Sequence, residues 1–180
     1  MLTLTRRQLL ACAVATLLLA AGSTVTVAAA SGTFTETSCA SPRLSGALVR
    51  VTEIDMAHMP MGMMGGRPGI MPLLARPTTL RAGTVSFLVH NAGSLAHELI
   101  LLPLPGGTPA GTRHLGADGR VDEAGSLGEA SRSCGAGAGE GIKAGATGWV
   151  TLNLTAGRYE LICNLKNHYA SGMFTELDVG

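Results

Sequence analysis

Cys163, His168 and Met173 fall in the run Tyr159-Glu-Leu-Ile-Cys163-Asn-Leu-Lys-Asn-His168-Tyr-Ala-Ser-Gly-Met173, which spells Cys-x4-His-x4-Met. A thiolate, an imidazole and a thioether at this spacing can converge on one soft metal ion. They are the donors of a copper that exchanges electrons: the thiolate bonds it covalently, the imidazole suits both oxidation states, and a distant thioether tunes the potential. Such a site needs a second imidazole. His97 supplies it, in Asn91-Ala-Gly-Ser-Leu-Ala-His97-Glu. Strand alternation sends Glu98 to the face opposite His97, so Glu98 is not expected to be a ligand.

Taken singly, each donor has a plainer reading: Cys163 as a buried thiol, His168 as a loop histidine, Met173 as a core methionine. The joint pattern argues against all three. Structural zinc favours several thiolates or a closed Cys/His set, and a Met donor does not suit it. There is no His-x-His pair for a copper cluster and no second Cys near Cys163 for a binuclear centre. His90 and His114 read as surface residues.

The elements that must position these donors are strands. Residues 46–54, 84–89, 149–154, 158–163 and 173–179 alternate apolar and polar side chains, and residues 99–102 are a continuous apolar run. Short strands broken by turns such as Arg81-Ala82-Gly83 and Ala156-Gly157 predict an all-β sandwich. Cys163 then ends one strand, His168 sits in the loop, and Met173 opens the next strand. Residues 103–148 form a long polar, glycine-rich connection carrying Asp118, Asp122, Glu123, Glu129 and Glu140, with a short helix expected near residues 126–131. Its Gly135-Ala-Gly-Ala-Gly139-Glu-Gly141 run lacks nucleotide-binding spacing and reads as a flexible loop.

With these residues in view, the chain resembles the cupredoxin family, and its ligand loop has the spacing of the sulfocyanin and rusticyanin types. The resemblance covers roughly residues 46–179, interrupted by the glycine-rich insert. It implies a Greek-key β-sandwich holding one type 1 copper near one end, with His97, Cys163, His168 and Met173 as ligands. It implies outer-sphere transfer of single electrons between redox protein partners, without a small-molecule substrate, and electron exit at the His168 edge. Asn91 is expected to tie the two ligand loops together, and Leu165 and Tyr169 to form an apolar collar.

Aromatic residues are only 3% of the chain, so the core rests on Val, Leu and Ile. Without Arg6 and Arg7 the chain has 11 basic against 12 acidic side chains, a balance that argues against nucleic-acid binding. Those arginines precede an apolar stretch, residues 9–21, and the small residues Ala28-Ala29-Ala30. This is the order of a cleaved export signal, residues 1–30, with twin-arginine character; a retained anchor is the alternative. An N-terminal segment, residues 31–45, and a copper domain, residues 46–180, follow. The protein is expected to be a monomer in the periplasm or on an extracytoplasmic face. With Cys163 given to copper and Cys12 in the leader, Cys39 and Cys134 remain as a disulfide pair.

Residues 56–71 are rich in Met, Gly and Pro. His58, Met59, Met61, Met63 and Met64 offer a second, softer Cu(I) site, or else serve as packing or a lid. A copper-binding chaperone or resistance protein using this loop is the alternative to electron transfer.

Overall fold

In the computed structural model, residues 39–40, 42–55 and 70–180 are described. They fall in one of the chain's two units; the other, Met1–Phe34, lies outside the described residues, and with it the predicted leader. Nine strands follow in order: β1 Ala47–Glu53, β2 Leu73–Arg76, β3 Thr79–Leu80, β4 Gly83–Asn91, β5 Leu99–Pro103, β6 Gly128–Ala130, β7 Thr147–Leu154, β8 Gly157–Ile162 and β9 Phe174–Val179. They form a four-stranded sheet, β2-β1-β4-β7, and a five-stranded sheet, β3-β9-β8-β5-β6. The crossovers give the Greek-key sandwich expected of the alternating segments. The pairs β1·β4 and β3·β9 are parallel, so both sheets are mixed.

Alternation decides what fills the sandwich. Val49, Val51 and Glu53 of β1, Val85, Phe87 and Val89 of β4, and Tyr159 and Leu161 of β8 are all buried. Apart from Glu53 they share one apolar cluster with Leu99, Leu101, Cys163, Met173 and Leu177. Each fully buried large apolar side chain contributes about 1.5–3 kcal/mol over exposure. The strand β5 is buried on both faces, which accounts for its continuous apolar run. Leu99 and Leu101 enter the inter-sheet cluster, whereas Ile100 and Leu102 join Val121, Ile162 and Tyr169 in a second cluster.

The long insert differs from expectation in two ways. Residues 126–131 do not form a helix; β6 pairs there with β5, Ala130 opposite Leu99. The free edge of β5 presents backbone groups that need partners, and pairing satisfies them. The glycine run is also no loose loop. Gly137 N donates to Trp149 O at 3.0 Å, Trp149 N to Gly135 O at 3.1 Å, and Gly141 N to Ser131 O at 2.7 Å. Cys39 and Cys134 are joined by a disulfide with Cα atoms 5.0 Å apart, which fastens the N-terminal segment to this insert. Among the described residues no helix is long and apolar enough to cross a membrane.

Candidate metal centre

Two loops at one end of the sandwich carry the donors. The first is the Cys163–Met173 hairpin between β8 and β9. Cys163 N donates to Met173 O at 3.0 Å, closing it, and Met173 N donates to His168 O at 3.2 Å. The turn is set by Asn167, whose φ of 68° lies in the left-handed region that Asn tolerates, and by a 3-10 turn over Tyr169–Ser171. Asn167 N reaches out of the hairpin to Gly119 O at 3.0 Å. Position 119 has no room for a side chain: a Cβ there would lie 2.3 Å from Asn167 Oδ1. Next to the cysteine, buried Asn164 accepts from Val121 N at 2.7 Å and donates to Val121 O at 2.9 Å.

The second loop brings His97. Its backbone pairs with Ile142, His97 N to Ile142 O at 3.1 Å and Ile142 N to His97 O at 2.6 Å. The Asn91 amide donates to Leu95 O and to Ile142 O, each at 2.7 Å. Asn91 therefore joins the His97 loop to the insert, whereas a tie between the two ligand loops was expected. Both amide protons are taken by these carbonyls and Oδ1 accepts from Gly93 N at 2.8 Å, so no side-chain donor is left for the other ligand loop.

The donors meet. Cys163 Sγ lies 3.3 Å from His168 Nδ1 and 4.0 Å from His97 Nδ1, and the two Nδ1 atoms are 3.2 Å apart. Among the described residues, these three form the one group of His, Cys, Asp or Glu side chains suited to a metal ion. Edges of this length fit donors that each stand about 2.0–2.3 Å from one first-row ion. Glu98 N also donates to Cys163 Sγ, at 3.4 Å, while the Glu98 carboxylate takes no part in the group. Met173 is fully buried in the same apolar cluster as Cys163. His97 and Cys163 have no exposed surface, and His168 is partly exposed.

The protonation states suit a metal. Burial, and then the neighbouring His97, push the His168 imidazole down to about 4, so it is neutral near pH 7. Burial also lowers His97, against the pull of Asp55. Asp55 Oδ2 lies 3.1 Å from His97 Nε2. A carboxylate can only accept, so His97 carries its proton on Nε2 and turns a lone pair on Nδ1 toward the cluster. Burial would raise the Asp55 carboxyl, but the N–H groups of Leu95 and Ser94, the Ser94 hydroxyl and His97 together hold it well below the usual carboxylate range. Burial, and then Glu53, raise the Cys163 thiol, so metal binding here displaces a proton.

Three residues at the site escaped sequence reasoning: Asp55, Asn164 and Glu53. Glu53 is fully buried with both carboxylate oxygens unpartnered, and burial, then Glu98, push its carboxyl well above the ordinary range. Burial, then Glu129 and Glu123, raise Glu98 to about 7. The two residues expected to form a collar fall in different clusters. Leu165 packs against the inter-sheet cluster and Tyr169 against the other one, where its hydroxyl donates to Glu160 at 2.8 Å. His90 and His114 are exposed. His58, Met59, Met61, Met63 and Met64 lie outside the described residues.

A family model for the sulfocyanin (SoxE) domain matches residues 79–180. Among solved structures, the chain is similar to reduced rusticyanin, at 23% identity and a TM-score of 0.42, covering 76% of this chain and 81% of that one. It is similar to auracyanin A from Chloroflexus aurantiacus, a "blue" copper protein, at 19% identity and a TM-score of 0.43, covering 74% and 100%. It is also similar to reduced auracyanin from Roseiflexus castenholzii, at 14% identity and a TM-score of 0.46, covering 76% and 98%. A search of curated proteins finds no match. The family match covers more than half of the chain. The chain thus belongs to the sulfocyanin domain family of cupredoxins, electron carriers that bind one copper, for which His97, Cys163 and His168 are the ligand candidates here.

Proposed function

We propose that this is an exported, monomeric, mononuclear blue-copper protein that passes single electrons between redox protein partners. His97, Cys163 and His168 hold the metal, and Met173 is its weak axial donor. The observation that carries this reading is the convergence of a thiol and two neutral imidazoles, 3.2–4.0 Å apart, from two separately anchored loops. Bound copper supplies a one-electron couple. The chain's part is to keep its donors still: Ile142 fixes the His97 backbone, Glu98 N–H holds Sγ, and the Met173 carbonyl closes the hairpin. Donors that do not move between redox states lower the reorganisation that accompanies each transfer. His168 is the partly exposed member of the set and supports contact with a partner at its edge. The Cys39–Cys134 disulfide supports export, since such bonds persist outside reducing compartments. The leader, residues 1–30, would deliver the copper domain, residues 46–180, to the periplasm or an extracytoplasmic face, with residues 31–45 between them.

Voltammetry of copper-loaded protein tests this reading. A reversible one-electron couple is expected, raised in Met173→Leu and lowered in Met173→Gln. An irreversible couple in the wild type would contradict electron carriage, and unchanged potentials in both variants would remove Met173 from the site.

A further inference from the structure

Asp55 lies two residues beyond β1 and 42 positions before His97, outside the residues 79–180 that match the family. Its side chain is 1% exposed, although the residue as a whole is half-buried. Four donors converge on its carboxylate. Oδ2 accepts from Ser94 N at 2.5 Å, Leu95 N at 2.9 Å and His97 Nε2 at 3.1 Å, and Oδ1 accepts from Ser94 Oγ at 2.7 Å. The loop is shaped to admit it. A Cβ on Gly93 would stand 2.0 Å from Asp55 Oδ2, so any larger residue at 93 would expel the carboxylate. The carboxylate faces Nε2, the ring nitrogen turned away from Cys163 and His168, so it is not itself a donor to the cluster.

We propose that Asp55 is a positioning residue that fixes the His97 tautomer and a built-in counter-anion that favours the more highly charged state of the metal. This rests on the copper reading above for its redox part, whereas the tautomer part stands on the protein alone. A carboxylate that accepts the Nε2 proton strengthens the lone pair on Nδ1, as second partners of metal-bound histidines do. Its negative charge, fixed in a buried setting beside a ligand, stabilises Cu(II) more than Cu(I).

Asp55→Asn separates the two roles. An amide oxygen in the place of Oδ2 still accepts from Ser94 N, Leu95 N and His97 Nε2, and the amide nitrogen in the place of Oδ1 can donate to the Ser94 hydroxyl. Geometry is kept and the charge is lost. Asp55→Ala loses both. The first measurement is the ring 15N spectrum of His97 in the metal-free, full-length protein. Wild type and Asp55→Asn are expected to show the Nε2–H tautomer alone, and Asp55→Ala a mixture. A wild-type proton on Nδ1, or a single Nε2–H tautomer in Asp55→Ala, would overturn the positioning role without touching the copper reading. The second is the reduction potential of copper-loaded protein. Asp55→Asn should shift the Cu(I) to Cu(II) affinity ratio toward Cu(I) by about tenfold, or about 59 mV for one electron. An unchanged potential in Asp55→Asn would overturn the counter-anion role. Failure of wild type to bind copper would overturn both the function proposed above and this redox part, while the tautomer result would still stand or fall by itself.

Discussion

The loop that carries His97 and the hairpin that carries Cys163, His168 and Met173 are held by different kinds of contact. The hairpin closes largely on itself, through Cys163 N to Met173 O, His168 N to Leu165 O and Met173 N to His168 O. The His97 loop is braced inside by one side chain, with Asn91 Nδ2 donating to Leu95 O and Gly93 N donating to Asn91 Oδ1, and His97 itself is held by distant residues: Asp55 from beyond β1 and Ile142 from the insert. Both lean on the long insert, but on opposite halves of it. Residues 111–123 meet the hairpin side, through Gly111 N and Arg113 on buried Glu160, Gly119 on Asn167, and Val121 on Asn164. Residues 142–146 meet the His97 side, through Ile142, and through Ala146 O accepting from Asn91 N. A segment that looks like a loose glycine-rich connection therefore braces each half of the donor set independently.

The largest test of this bracing is the disulfide. Cys39→Ser with Cys134→Ser opens a closure spanning 95 residues and should cost about 4 kcal/mol of unfolding free energy, read by denaturant titration. A loss too small to measure would mean that the insert is held without it. A smaller effect separates the two halves. Asn91→Ala strips donors from the carbonyls of Leu95 and Ile142, and Asn164→Ala strips the acceptor from Val121 N–H. Each should cost about 1–3 kcal/mol. Amide exchange should rise near His97 and Ile142 in the first variant and near Val121 and Cys163 in the second. Faster exchange over the same residues in both would contradict independent bracing.

The smallest effect near pH 5 is expected at Glu53, which lies on the inward face of β1 with Val49 and Val51. Its folded pKa is raised above the ordinary 4.5, so the stability it allows is fully present below that value and is lost as pH rises toward the folded pKa. Glu53→Gln, which cannot ionise, should match wild type in the metal-free protein below about pH 4 and become progressively more stable than wild type above it. A pH-independent difference in thermal unfolding would contradict a buried, protonated Glu53.

These contrasts explain what the sequence disclosed. The hairpin was legible because its three donors lie within eleven consecutive residues, and their spacing survives whatever the rest of the chain does. The strands were legible because a two-residue period is local; the run at Leu99–Leu102 was visible as apolar, and its burial on both faces came with the structure. Asp55 was not legible. Its partner is 42 residues away, and an aspartate after a strand reads as a solvated turn until the backbone brings Ser94, Leu95 and His97 around it. The one local trace was Asn91-x-Gly93, a loop without a side chain where the carboxylate enters. The helix expected at residues 126–131 failed because the open edge of β5 outweighed weak local preference. Asn91 was singled out as a tie between the two ligand loops, and nothing in the sequence could reveal that its second partner is Ile142 of the insert.

On the function proposed above, Cys163, with His97 and His168, forms a copper–thiolate centre. The direct measurement is the visible and electron-spin spectrum of the full-length protein titrated with Cu(II), beside Cys163→Ser. One equivalent of copper is expected, with an intense visible charge-transfer band in the wild type and loss of that band in a Cys163→Ser protein that keeps its β-sheet circular dichroism. A wild type that is fully loaded with Cu(II) yet colourless, or a Cys163→Ser variant that keeps the band, would contradict it.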